Sequence, residues 1–367
     1  ELTIGPNSTT QADDYFDIVT WTGNASNDLD IDANFNPDWL WIKAEGTSGD
    51  HALYDSNRGN GVQLISNTTG ADATNTTNGA RLTQADGGTG FEPGALGDTN
   101  SSGNGMVAWL WKANAGTATA SASETDNANP AYSQQANATS GFSIITYTGT
   151  GANATLPHGL GVAPEMIWVK CRDNSSSSDH WYVYNKYNAT SNPEQYEIYL
   201  NLTSAAYKDS SDNTRAWNAT APTSSVFSIG DIADVNQDGK SYVAYCFASI
   251  DGYSKINSYE GNALDDGTYV YLGFRPRWLM LKNADATESG GAAWIIYDTE
   301  RSTSNVMDDR LYANSSVAEQ NNANYNIDFL SNGFKIRDGS ANYGYNNANT
   351  YIYMAFAEIP FKYANAR

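Results

Sequence analysis

One arrangement of residues occurs three times along the 367-residue chain, and any fold must place all three copies. Each copy opens on alternating apolar and polar residues that end at a glycine: 15–23 ends at Gly23, 141–149 at Gly149 and 252–261 at Gly261. Period-2 alternation ending at a turn residue is the pattern of a half-buried strand. A second block then runs from Pro37 to Lys43, from Pro164 to Lys170 and from Pro276 to Lys282, with the same Pro-to-Lys spacing each time. Proline heads a strand where no ladder donor is needed, and the residues after it are apolar on both faces, which predicts a central strand of a sandwich.

A third block carries Leu53-Tyr54-Asp55, Trp181-Tyr182-Val183-Tyr184-Asn185 and Trp294-Ile295-Ile296-Tyr297-Asp298. Arg58 and Arg301 follow it in the first and third copies, and the second has no counterpart. Gly90-Phe91, Val226-Phe227 and Gly333-Phe334 form a fourth block, and each copy closes on an aromatic-rich strand around Trp109, Tyr245 or Tyr353. A copy of roughly 100 to 110 residues with at least five strands has the size of one β-sandwich. The expected fold class is therefore all-β, with three tandem, jelly-roll-like β-sandwich domains. The expected boundaries are an N-terminal arm at 1–12, domains at 13–113, 141–249 and 250–367, and an extended linker rich in Ala, Ser, Thr and Asn at 114–140. Only Ser249, Ile250 and Asp251 separate the expected strands of the second and third copies, which predicts that these two are rigidly coupled while the first swings or is held by a partner.

The third copy, through Gly252-Tyr253-Ser254-Lys255, Gly273-Phe274-Arg275-Pro276, Asn332-Gly333-Phe334-Lys335 and the ending Tyr353-Met354-Ala355-Phe356-Ala357, resembles the C-terminal repeat of virion proteins of tailed, especially marine, bacteriophages. That resemblance implies a structural role of tail or tail-fibre type, located on the virion surface, and carries no catalytic residues. Its alternatives are a capsid decoration or head-fibre protein, and a secreted filament or surface-layer glycoprotein located extracellularly. The partners it implies are further copies of the chain, other virion proteins and host-surface glycans.

Composition narrows the choice. With 41 acidic against 20 basic residues the chain carries a formal charge of -21, so nucleic acid is not an expected partner. No run approaches the roughly 18 apolar residues of a spanning helix, so membrane insertion is not expected. His51, His158 and His180 stand at no metal or triad spacing, and the acidic pairs Asp265-Asp266 and Asp308-Asp309 point no two carboxyl groups at one another, so an enzyme is not expected. Cys171 and Cys246 are expected to be buried free thiols.

Two motifs suggest ligands. Asp234, Asn236 and Asp238 alternate oxygen donors before Gly239, which would suit a structural Ca2+, the one cofactor considered, although Tyr245 at the twelfth position excludes an EF-hand. Trp181, Tyr182, Trp217, Tyr343 and Tyr345 fall in or near expected loops and are the candidates for stacking against glycans. Asn-x-Ser/Thr occurs at Asn7, Asn24, Asn67, Asn75, Asn100, Asn137, Asn153, Asn174, Asn188, Asn201, Asn218 and Asn314. In an exported protein of a glycosylating host these would mark exposed loops.

Overall fold

The computed structural model describes residues 11–123, 130–173, 179–189, 191–208, 216–285, 292–321, 325–337 and 345–358. The fold is nearly all β, as the sequence pattern predicts. Three large antiparallel sheets share one strand order. In the first, an opening strand Phe16–Thr22 pairs with the closing strand Gly105–Trp111, followed by a proline strand Trp39–Ala44, an inner strand Ala52–Asp55 and an outer strand Val62–Ile65. The second repeats this order with Phe142–Thr148, Ser241–Phe247, Met166–Cys171, Tyr182–Asn185 and Ile198–Tyr199. The third uses Ser254–Glu260, Thr350–Ala357, Pro276–Asn283, Ile295–Asp298 and Asp309–Tyr312.

Alternation along a strand sends successive side chains to opposite faces, and each face finds its own core. In the first copy Leu40, Ile42, Ala108 and Leu110 face a small second layer, Ile31–Asp32 paired with Gly90–Phe91, and form a private core. Ala154–Pro157 with Val226–Ile229 plays this part in the second copy, over Ile167, Val169 and both free, buried cysteines. Tyr269–Tyr271, Gly333–Ile336 and Ile327–Leu330 do so in the third.

The opposite faces meet one another. Trp39, Trp41, Trp109 and Trp111 join Phe142, Trp168, Tyr245 and Phe247 of the second copy, and Trp278, Met354 and Phe356 of the third, in one buried cluster. Trp39 stacks on Tyr245 with ring centres 4.8 Å apart, and Phe16 stacks on Phe356 at 4.9 Å. Offset and tilted rings at such separations add to the apolar area they bury. The aromatic excess of the sequence is spent here.

Backbone bonds show that the three copies close a ring. Asp72 N–H donates to the Arg172 carbonyl at 2.8 Å, Ala206 N–H to Ala284 at 2.7 Å and Glu319 N–H to Glu45 at 2.8 Å. Each acceptor stands two residues beyond the block lysine, at Lys170, Lys282 or Lys43, and each donor follows an outer strand, so the segment after the outer strand of one copy meets the segment after the proline strand of the next in the order first to second, second to third, third to first. A heterologous contact repeated in this way closes when the rotation comes to a full turn, and here it closes within one chain after three steps.

The expectation of a swinging first copy is therefore corrected: it packs against both neighbours. The linker expectation changes too. Ala120–Ala122 and Tyr132–Asn137 extend the second sheet beyond its opening strand. The polar composition of that stretch concealed this, because Gln134 and Gln135 are buried side chains. Gln135 Nε2 reaches Ser56 Oγ and Asn57 Oδ1 of the first copy.

Candidate functional site

Buried polar side chains recur at equivalent positions of the seams between copies. Each block lysine is fully buried with its ammonium among carbonyl oxygens. Lys170 Nζ donates to Cys171 O and, across the seam, to Thr69 O at 3.2 Å. Lys282 Nζ donates to Ala292 O and across its seam to Thr203 O at 3.0 Å. Lys43 keeps to its own copy, bonding Ala44 O and Thr47 O. Burial pulls Lys282 down to about 7, and Lys43, with Asp98 and Asp50 opposing that effect, to about 8.

A second set of seam residues follows the third block. Arg58 is buried between Asp55, at 2.5 Å, and Asp72, at 3.1 Å, while the Tyr245 hydroxyl of the second copy donates to Asp55 at 2.6 Å. Burial alone would lower the guanidinium pKa, but Asp55 and Tyr245 hold it above its ordinary value. Arg301 sits likewise between Asp298, at 2.7 Å, and Glu319, at 2.8 Å, and Trp109 Nε1–H of the first copy donates to Asp298 at 3.0 Å. Between the second and third copies the equivalent positions are Asn185, Asn188 and Ala206, and the closing-strand position held by Tyr245 and Trp109 is Met354. Methionine offers no donor. Asn185 Nδ2 and both polar side-chain atoms of Asn188 are buried without a hydrogen-bond partner.

Three further asparagines fasten the rim of each copy. Asn100 Nδ2 donates to Gly94 O, Ser26 O and Asn24 Oδ1. Asn236 Nδ2 donates to Ala152 O and Gly230 O while its Oδ1 accepts Thr150 N–H at 2.8 Å, and Asn346 ties Asn262 to Leu264 in the same manner. The glycine ending each opening strand lies beneath this staple. A Cβ on Gly23, Gly149 or Gly261 would fall 2.2, 2.2 or 1.8 Å from the carbonyl oxygen of the residue after the asparagine, so only glycine fits.

These contacts decide where the sequence candidates stand. Asp234, Asn236 and Asp238, the residues considered for Ca2+, stand in three different surroundings. The Asn236 amide is spent on the staple, Asp238 is exposed, and Asp234 turns toward Tyr182 and Asp179. No group of three His, Cys, Asp or Glu side chains suited to a metal occurs among the described residues.

The stacking candidates are also corrected. Trp181, Tyr182, Trp217 and Tyr345 are all buried, with Trp181 Nε1–H donating across a seam to Ile65 O and Tyr345 OH to Ala293 O. Tyr343 lies outside the described residues. Trp294 Nε1–H repeats the Trp181 bond at Tyr199 O, and His51 occupies the third such place, facing the Tyr312 carbonyl. Burial keeps His51 neutral, and its Nδ1 accepts Trp41 Nε1–H at 2.9 Å. His158 is buried beside Thr223 O, and His180 pairs with Asn201.

Several sequons have a structural use instead of an exposed one. Asn67, Asn201 and Asn314 stand at one repeated position and accept the backbone N–H of His51, Trp181 and Trp294. Asn100, Asn188 and Asn201 are buried, which corrects the expectation that they mark exposed loops. Asn75, Asn137 and Asn218 are half-buried, with Asn75 and Asn137 bonded in turns, whereas Asn24 and Asn153 are exposed. Asn7 and Asn174 lie outside the described residues.

The contacts of the ring run from the first strand to the last, and a family model covers the same extent, matching residues 11–360. The chain belongs to the family DUF7483, a domain of unknown function. Neither a curated protein nor a solved structure matches it. The unit of this family is thus as long as the whole three-copy ring.

Among the described residues, three of the clefts on the surface of the ring are well formed. One of about 340 Å³ lies beside the strand Tyr132–Asn137, and one of about 260 Å³ lies beside Asp38. The largest of the three, about 400 Å³, lies at the seam between the second and third copies, over Asn188 and Ala206. Sequence reading did not find it, although the missing arginine of the second copy was its signal.

Proposed function

We propose that the chain is a non-enzymatic structural protein of a virion surface, of the tail-fibre or receptor-recognition type. The observation that carries this reading is the closed three-copy ring, in which one chain supplies a quasi-threefold body with a continuous aromatic core. Such a body gains rigidity from seams that bury their backbone and side-chain polar groups in reciprocal bonds. It presents three related sets of outer loops from one scaffold, so that weak contacts made by several loops add as avidity. A formal charge of -21 keeps the body soluble and repels nonspecific anionic surfaces. The resemblance of the third copy to tailed-phage virion proteins supports the same reading. The burial of Asn100, Asn188 and Asn201 weighs against the surface-layer glycoprotein alternative.

The test is electron microscopy of purified particles labelled with antibodies to the folded chain. Label at the tail or its fibres is the expected result. Label confined to the head would favour the decoration alternative, and unlabelled particles with labelled cell surfaces would overturn the reading.

A further inference from the structure

We propose that the outer face of the strand Tyr269–Tyr271, on the third copy, binds one neutral pyranose ring by stacking on Tyr269 and Tyr271. The inference rests on the surface-recognition reading above and gives that recognition a place. In each copy the second layer holds a short strand with one residue paired to the phenylalanine of the fourth block: Ile31 with Phe91, Leu156 with Phe227 and Val270 with Phe334. That residue is buried each time, so its two neighbours point outward. The outward pair is Asp30 and Asp32 in the first copy, Thr155 and Pro157 in the second, and Tyr269 and Tyr271 in the third. Two copies thus show that the fold needs no aromatic residue at these positions. The third nevertheless leaves Tyr269 42% and Tyr271 62% exposed, in a chain whose tryptophans in the repeated strands are buried.

The rings are held in place and stay low on the sheet. The Tyr269 hydroxyl donates to Asn332 Oδ1 at 2.8 Å, and its ring passes 3.2 Å from where a Cβ on Gly333 would stand. Tyr271 lies against Gly273, its hydroxyl oxygen 3.6 Å from the equivalent point there. Among the described residues no ammonium or guanidinium lies over either ring. Lys335, opposite Tyr269 in the sheet, is instead held by Asp266 at 2.5 Å, and Arg337 by Asp328.

Size and charge select the occupant. An aromatic side chain can bury roughly 150–250 Å², so the exposed part of the two tyrosines comes to about 200 Å². A stable protein partner would need about 800 Å² on each side. The place therefore suits a small ligand with a flat apolar face. A formal charge of -21 turns nucleotides and other anions away. A pyranose meets both conditions: its C–H face covers a ring, and its hydroxyls reach the Tyr269 phenol oxygen and the Asn332 side chain at the rim. One such contact is weak, and several copies on one particle add as avidity.

The experiment is saturation-transfer NMR on the full chain with glucose, galactose, mannose and N-acetylglucosamine, each alone at millimolar concentration. Transfer to the ring protons of at least one sugar is expected. It should fall at least tenfold when Tyr269→Thr is combined with Tyr271→Asp, the residues that the second and first copies carry at these positions. Tyr271→Phe keeps the ring face and should retain transfer within about twofold. If the double variant does not fold, as read by circular dichroism, Tyr271→Thr alone takes its place, with a severalfold loss expected. No transfer to any of the four sugars, transfer unchanged in the folded variant, a loss in Tyr271→Phe as large as in that variant, or displacement of the sugar by tetramethylammonium would each overturn the proposal. Particle labelling is read independently of sugar transfer, so failure of this site and failure of the virion reading are distinguishable.

Discussion

The two seams made by the first copy bury an arginine between carboxylates, whereas the seam between the second and third copies holds Asn185, Asn188 and Ala206 in those places. The chain connections differ in parallel. The second and third copies are joined by the six residues 248–253 between their closing and opening strands, the first and second by a long strap, and the third and first by no covalent link. Where the link is short, its length sets the register of the seam. Where it is long or absent, a buried ion pair that tolerates only one docking geometry does the same work, at little net gain in stability.

The residue after each block proline fits this account. Asp38 accepts the N–H groups of Ala113, Ala115 and Gly116 at the start of the strap, and Glu165 accepts from Ser249 at the short joint. At the joint with no covalent link the same position is Arg277, which pairs with Asp17 at 3.0 Å and donates to Ile18 O.

Breaking a charged seam should have the largest effect. Asp55→Ala leaves the Arg58 guanidinium buried without its nearest counter-charge and should cost about 3–5 kcal/mol in chemical denaturation. Asp55→Asn combined with Arg58→Asn, which copies the neutral seam, should cost less than half as much. A double variant as damaging as the single one would mean that the charge itself, and not its neutralisation, supports the seam. The staple comes next: Asn236→Ala deprives the buried Thr150 N–H and Gly230 carbonyl, and the half-buried Ala152 carbonyl, of a partner and should cost about 1–3 kcal/mol.

A pH titration separates the seams further. Glu45, at the seam between third and first copies, is raised to about 7 by burial and by Glu319, with Arg301 opposing. Its folded value exceeds its ordinary 4.5, so the folded state holds the proton more tightly, and stability falls as pH rises from 4.5 to 7. Glu45→Gln should flatten that decline in a thermal melt series, and an unchanged slope would remove Glu45 as its source. The smallest effect belongs to the half-exposed Lys186–Glu165 pair, where Lys186→Ala should change stability by less than about 0.5 kcal/mol.

Strands were legible in the sequence because each repeated block is a physical necessity of the sheet: proline at Pro37, Pro164 and Pro276, apolar residues on both faces, then lysine. What the two apolar faces met was not legible. Trp39 and Leu40 look alike to a pattern, yet one faces the shared core and the other the private one, and only the closure of the ring distinguishes them. Asn100, Asn236 and Asn346 were hidden for another reason. Asparagine is so common here that a staple looks like a turn, and the glycine beneath it was the better signal. The candidate site was legible only as a gap, the arginine that the second copy lacks.

Calorimetry of Asp55→Ala beside the unmodified chain tests the central claim, that three copies around one core form one cooperative body. The ring predicts a single transition in both proteins, with the whole of the unfolding enthalpy moving to lower temperature in the variant. Separate transitions, with only the share belonging to the first copy displaced, would contradict it.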